Sequence, residues 1–314
     1  MSIRFLNHQY KLTIAATGPG TVIFGDIGSA TEDTEVVIIS ELQITGNIKM
    51  DKSSEGNNLS ITIYNLSQSS IDKISQEDTF LLLEVGYPGE DLKELFRGGL
   101  TSMSTKNPGT GNMTTIKASD SYAQFRDAQT DRTWDQSPVI AEDIVKDIIQ
   151  IDMGLALGDI HNNTGVGPIT EVATGKGLNQ PFYTYTATGP SFKVMDDLCD
   201  GLELEWNVVN GQVDVYPKGS GRRVKPLIPV FSPETGLVET PSKILINADR
   251  AKGSADKKTG KKFKVILSPT LRPGDSIKIK SKNYDEEVSI KSIDHEFNFY
   301  KGVWFSNIVT EDIK

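Results

Sequence analysis

The chain has 314 residues, 37% hydrophobic and 24% charged, with a formal net charge of −9 and one cysteine. That length exceeds what one core usually supports, so two or three domains are expected, and the apolar and aromatic content is enough to fold them. The acid excess argues against a dedicated nucleic-acid binder, which gains affinity by neutralising phosphates, and a single thiol excludes an internal disulfide.

No apolar run approaches the roughly 20 residues that span a bilayer, and residues 1–8 lack the apolar core of a secretory leader, so none is expected. The first third reads as strands. Residues 10–14, 21–24 and 36–40 are short β-branched runs separated by glycine-rich spacers at 18–20 and 25–28. Residues 42–50 alternate, break at a polar tip over 51–58 and resume as an alternating run at 59–66, which predicts a hairpin. Residues 67–74 read as a short helix with a serine available as its N-cap. Further strands follow at 80–87, 95–103 and 113–120. Together these elements describe a small β-barrel with one helix packed on it.

The middle changes texture. Ser137 and Pro138 are placed as N-cap and first helical residue of a helix running to Ile151, with Ile140, Ile144, Ile148 and Ile151 on its inward face. Residues 154–177 read as loop. A second helix is expected over 191–200, with Val194, Met195, Leu198 and Cys199 inward and Gly201 as a left-handed cap. Cys199 is expected to be a small buried hydrophobe. Residues 202–216 then spell a hairpin turning at Asn210-Gly211. After a Gly/Arg/Pro-rich connection over 217–229, short alternating strands occupy the remainder. They are broken by a basic loop at 250–262 and by a tight turn at Pro273-Gly274-Asp275.

Chemistry-bearing patterns fail on spacing. Gly175-Lys176 and Gly260-Lys261 lack the earlier glycine of a phosphate loop, which falls at Thr170 and Ala255. Ser220 lacks the glycine spacing of a nucleophile elbow. His8, His161 and His295 are scattered, and one cysteine cannot complete a thiolate zinc site. The stretch 159–165 lacks the ligand pattern of a calcium loop. Asp294-His295-Glu296 alternates across a strand, so the imidazole cannot share a pocket with both acids, and His295 is expected near an interface. Glu142, Asp143 and Asp147 read as a solvated helix face. The basic stretches at 222–223 and 252–264 lack the aromatics of a stacking platform and read as solubility elements or contacts to an acidic partner. The sequence thus predicts no catalytic, cofactor-binding or metal-binding residue, and no enzyme.

The order of motifs in the last eighty residues carries a resemblance. It runs from Ser232-Pro-Glu-Thr-Gly-Leu through Leu267-Ser-Pro-Thr-Leu-Arg-Pro-Gly-Asp and Ser292-Ile-Asp-His-Glu-Phe to Trp304-Phe-Ser. It resembles the C-terminal part of baseplate hub proteins of contractile-tailed bacteriophages. Residues 59–67, Val85-Gly-Tyr and Phe96-Arg-Gly-Gly-Leu are similar to that family's opening domain, and the elements at 137–151 and 192–206 to its helix-bearing insert. The resemblance implies a mainly β fold with an α+β insert. Two tail-tube-like β-barrel domains (1–125 and 206–314) would flank a helix-containing middle domain (126–205).

It further implies a homotrimer that adapts a six-fold tail tube to a three-fold central spike and forms part of the DNA conduit. The implied partners are the spike, the tail tube or a tube-initiator protein, baseplate wedge proteins and a tape measure protein, with no specific nucleic-acid binding and no stable membrane insertion. The implied location is the tail baseplate of a virion assembled in a bacterial host's cytoplasm. The alternatives are a phage-borne β-rich cell-wall hydrolase or glycan-binding module, and a tail tube or tail-tip protein.

Overall fold

The computed structural model describes residues 8–16, 35–52, 56–75, 79–109, 111–120, 127–135, 138–160, 177–218, 228–246 and 258–312. The expected strand at 21–24 and its glycine spacers, the Ser137 cap, His161, Lys176, Ser220, Arg222, Arg223 and the basic residues at 250–257 lie outside the described residues.

The first region holds β1 (Gln9–Ala16), β2 (Glu35–Ile39), β3 (Ile44–Asp51), β4 (Asn58–Tyr64), α1 (Gln68–Ile74), β5 (Thr79–Gly86), β6 (Lys93–Lys106) and β7 (Met113–Ser119). β3 and β4 form the expected antiparallel hairpin. Ser67 caps α1 by accepting from the Ser70 N–H, and Ile71 and Ile74 turn inward. Alternation places one face of every strand on a common core that includes Leu12, Ile48, Ile61, Leu83, Phe96 and Ile116.

The middle region holds β8 (Gln129–Trp134), β9 (Val139–Ile140), α2 (Ala141–Asp147), β10 (Ala156–Ile160), β11 (Pro181–Phe182), β12 (Tyr185–Pro190), α3 (Ser191–Gly201), β13 (Leu204–Val209) and β14 (Gln212–Pro217). This region departs from the expected elements at four points. Residues 139–140 pair with β11 instead of opening the helix, so α2 starts at Ala141 with Ile140 as an uncapped N-cap. Ile140 is 42% exposed. A π-helical turn over Ile148–Asp152 then widens the helix. The apolar face therefore runs through Ala141, Ile144, Val145, Ile148 and Ile149, while Ile151 rotates out to 58% exposure. Residues 156–160, expected as loop, form a strand parallel to β14. Finally, α3 runs through Gly201, and the left-handed residue after it is Glu203, at φ 58°. The inward set on α3 is as expected, Cys199 included.

The last region holds β15 (Val230–Phe231), β16 (Ser242–Ile246), β17 (Lys258–Ile266), β18 (Ser276–Lys280), β19 (Asp285–Asn298) and β20 (Val303–Asp312). The basic stretch expected as loop through residue 262 is already strand from Lys258. The Pro273-Gly274-Asp275 turn is present, with Gly274 at φ 90° and the Asp275 N–H donating to the Arg272 carbonyl at 3.1 Å.

The fold is mainly β, with one large antiparallel sheet and few helices. Its order is β16-β17-β20-β19-β3-β4-β7-β6-β5-β1-β2, with β18 also on β19 and β15 on β18. Among the described residues three hydrophobic cores organise it, one centred in each region, the first also taking in Leu267, Phe297 and Trp304. Both strands of the β13–β14 hairpin contribute to the middle core. The expected limit at 205/206 therefore falls inside a hairpin, whose cross-strand bonds keep both strands in one unit.

Candidate functional site

The features that organise this molecule lie where its units meet and where its sheet ends. β19 joins the two β-rich regions. Its first half, from Asp285 to Ser289, pairs with β18, and its second half, from Ser292 to Asn298, pairs with β3. Between them the β19–β20 register slips by one residue, between Ile290 and Ser292. Such a bulge bends a strand and strengthens its twist, here at the point where β19 passes from β18 to β3 within one sheet. The freed Lys291 carbonyl accepts from the Lys52 N–H at 3.1 Å, and the Lys52 ammonium pairs with Glu311 of β20.

A second junction fixes the middle unit. Asn58 and Ser119 are register partners on β4 and β7, so Asn57 and Asp120 face each other just beyond the ladder. The Asp120 carboxylate is fully buried. It accepts from the Asn57 N–H at 2.8 Å, the Asn57 side-chain amide at 2.7 Å and the Asn210 N–H at 3.0 Å. The same Asn57 amide donates to the Val208 carbonyl at 2.8 Å, and the Arg97 N–H donates to Asn210 Oδ1 at 3.3 Å. The Asn210-Gly211 turn, with φ of 53° and 75°, thus docks on the first region through the Asp120 carboxylate and the Asn57 and Arg97 bonds. Charge-assisted bonds of this kind offset the cost of burying an ion. Nothing in the sequence marks Asp120, because its partners are about 63 and 90 residues away.

A third junction is aromatic. His8 stacks on Trp304, with ring centroids 4.7 Å apart, and meets Tyr87 edge-on. The Tyr87 hydroxyl donates to the Leu267 carbonyl at 2.9 Å. Burial lowers the His8 pKa and raises that of Tyr87 above its usual range.

The sequence-predicted candidates fall into structural roles. His295, expected near an interface, is fully buried within the chain. Its Nδ1 lies 2.8 Å from the Ser306 hydroxyl, and desolvation pushes its pKa down to about 3. Asp294 lies on the other face, where it accepts from the Asn47 amide at 3.2 Å, and burial raises its pKa. The three residues do not share a pocket.

Glu142 pairs with Lys146 at 2.6 Å. Asp147 is not merely solvated, since it accepts from the Trp134 indole at 2.8 Å. Asp159 donates its N–H to Asp214 Oδ1 at 2.8 Å as part of β10. Lys261, in β17, meets Asp312 at 2.6 Å and Glu286 at 2.9 Å. Burial works to lower its pKa, but those two carboxylates hold it above the usual lysine value. Burial raises the Cys199 thiol pKa strongly, so the thiol stays protonated. Among the described residues no group of three or more His, Cys, Asp or Glu is placed to hold a metal ion, and no helix is long and apolar enough to cross a membrane.

The sheet ends on β2 and β16, each paired on one side only among the described residues. Val36 and Ile38 of β2 are 40% and 61% exposed, and Leu245 of β16 is 69% exposed.

No family model and no curated protein sequence matches the chain. Solved structures do. The chain is similar to the 43 kDa tail protein of prophage MuSo2 from Shewanella oneidensis, with TM-score 0.59, 9% identity, and 96% of this chain and 97% of that chain covered. It is equally similar to the tail protein from Neisseria meningitidis MC58, with TM-score 0.59, 8% identity and 96% of each chain covered. A third similar structure is an Escherichia coli component of the type VI secretion system, described as structurally similar to the T4 tail proteins gp27 and gp5. It gives TM-score 0.55 and 8% identity over 87% of this chain and 73% of that one. At these identities the likeness is one of fold: the chain shares the fold of phage tail proteins.

Proposed function

We propose that this chain is a structural baseplate hub subunit of a contractile phage tail. In this reading it forms a homotrimer, adapts the six-fold tail tube to the three-fold central spike and lines part of the DNA conduit. One observation carries the reading: two β-rich units with separate cores are fused through β19 into one sheet, on a fold shared with tail proteins over nearly the full length of both chains. Two such units per chain give six in a trimer, the number a six-fold tube requires.

The partners in this reading are the central spike, the tail tube or tube-initiator protein, baseplate wedge proteins and a tape measure protein. The location is the virion baseplate, after assembly in the host bacterial cytoplasm. The units are proposed as 1–125, a helix-bearing unit from 126 to the end of β14, and the remainder. No catalytic role is proposed: at Asp294-His295-Glu296 the ring is sealed in the interior, while Asp294 bonds Asn47 on the opposite face.

The test is native mass of the purified protein, alone and co-expressed with the spike protein from the same particle. A three-to-one or three-to-three complex with the spike is expected. A strict monomer in both samples, with turnover on peptidoglycan, would replace the hub with the cell-wall hydrolase.

A further inference from the structure

We propose that the Asn210-Gly211 turn is a spontaneous modification site gated by the docking of the middle unit. Docked, the turn is inert; undocked, it deamidates, and the product resists redocking. It is the chain's one Asn-Gly pair. Deamidation needs a backbone nitrogen to reach the asparagine Cγ, and glycine offers the least hindered one because it carries no side chain.

The steps balance with water as the sole co-reactant. The Gly211 amide nitrogen attacks Asn210 Cγ, forming a C–N bond and a cyclic succinimide. Ammonia leaves with the proton from that nitrogen. Water then opens the ring at either of its carbonyls, giving aspartate or isoaspartate at position 210.

The docked turn withholds what this chemistry needs. The Asn210 N–H donates to Asp120 at 3.0 Å, and Asn210 Oδ1 accepts from the Arg97 N–H of β6 at 3.3 Å. From the other side the Gly211 carbonyl accepts from the Ala156 N–H of β10 at 3.1 Å. These bonds oppose the swing of Cγ onto the Gly211 nitrogen. Asn210 is 9% exposed and Gly211 is buried, which keeps out the water and base that the reaction requires.

Conversion works in one direction. Isoaspartate routes the main chain through the former side chain and lengthens a two-residue turn whose twist matches its strands, so Val209 and Gln212 lose their register. Aspartate instead sets a second carboxylate beside the fully buried Asp120, and like charges sharing a dry site oppose each other's ionisation. Each product therefore favours a hairpin tip released from the first β unit.

Incubation of the full chain at mildly alkaline pH, followed by peptide mapping for isoaspartate, tests this. Native protein should convert at residue 210 far more slowly than the same protein unfolded in urea. Asp120→Ala, which removes the acceptor of the Asn210 N–H, should speed native conversion roughly 5- to 30-fold. Asn57→Ala removes only the side-chain bonds to Asp120 and Val208. It should speed conversion less, and it supplies the readout where Asp120→Ala does not fold. The converted fraction, separated by its added charge, should lose hydrogen-exchange protection at the Asn57 N–H. Native conversion as fast as in urea would overturn the gate, and so would folded variants that convert no faster than the parent. Parental protection at Asn57 in the converted fraction would overturn the release.

Discussion

His295 and Trp304 sit on neighbouring strands and show how single side chains hold the seam between the two β units. His295 lies between Ile293, which belongs to the last core, and Phe297, which belongs to the first. Its folded-state pKa, near 3, is below the ordinary 6.5. The unfolded chain therefore takes up the proton first. The stability that depends on a neutral ring is complete above pH 6.5 and is lost as pH falls through that value toward 3. By pH 5 the loss is about 2 kcal/mol. His295→Gln should flatten the dependence of the urea midpoint on pH between 7 and 5, and identical slopes for both proteins would refute the assignment. Trp304 is 3% exposed and packs on His8 and Phe297. Trp304→Ala should cost roughly 3–5 kcal/mol, read as reduced soluble yield and a lower denaturation midpoint. Wild-type values would show that the seam does not depend on this ring.

At the scale of elements, the hairpin β13–β14 was legible because its signals are local: alternation on each side of Asn-Gly at the tip. The α1 cap and the inward face of α3 were legible for the same reason. What the hairpin docks on was not. Asp120 looks like any strand-end acid until the fold brings Asn57 and Asn210 to it. Asp120→Ala should leave the Asn57 and Asn210 N–H groups without their acceptor, at about 1–3 kcal/mol for each buried group. Hydrogen exchange at those two amides should accelerate while that of Val265, in the last core, stays unchanged. Equal protection in variant and parent would show that the junction does not hold the middle unit. The α2 reading failed because period alone cannot register a two-residue strand at its start or a π-helical turn at its end, and both shift the phase that buries a residue. The β3–β19 pairing was hidden for a third reason. It joins residues such as Asn47 and Asp294, 247 positions apart, and alternation specifies a face but never a partner.

For the whole molecule, a mainly β architecture with a helix-bearing insert was readable, while the continuity of one sheet through both β units was not. That continuity joins the two units through backbone hydrogen bonds between β19 and β3. With a formal charge of −9, the proposed hub should bind duplex DNA weakly or not at all at physiological salt; a tight, sequence-specific shift on a gel would contradict that. As the proposed hub subunit, this chain would build a three-fold ring that presents six β units to a tail tube. A reconstruction of the parent particle's tail tip addresses it most directly. Three copies of this fold are expected around the tail axis, between tube and spike, with β19 running through both β units of each copy. Density for the chain outside the axial ring, or in a copy number that three does not divide, would contradict it.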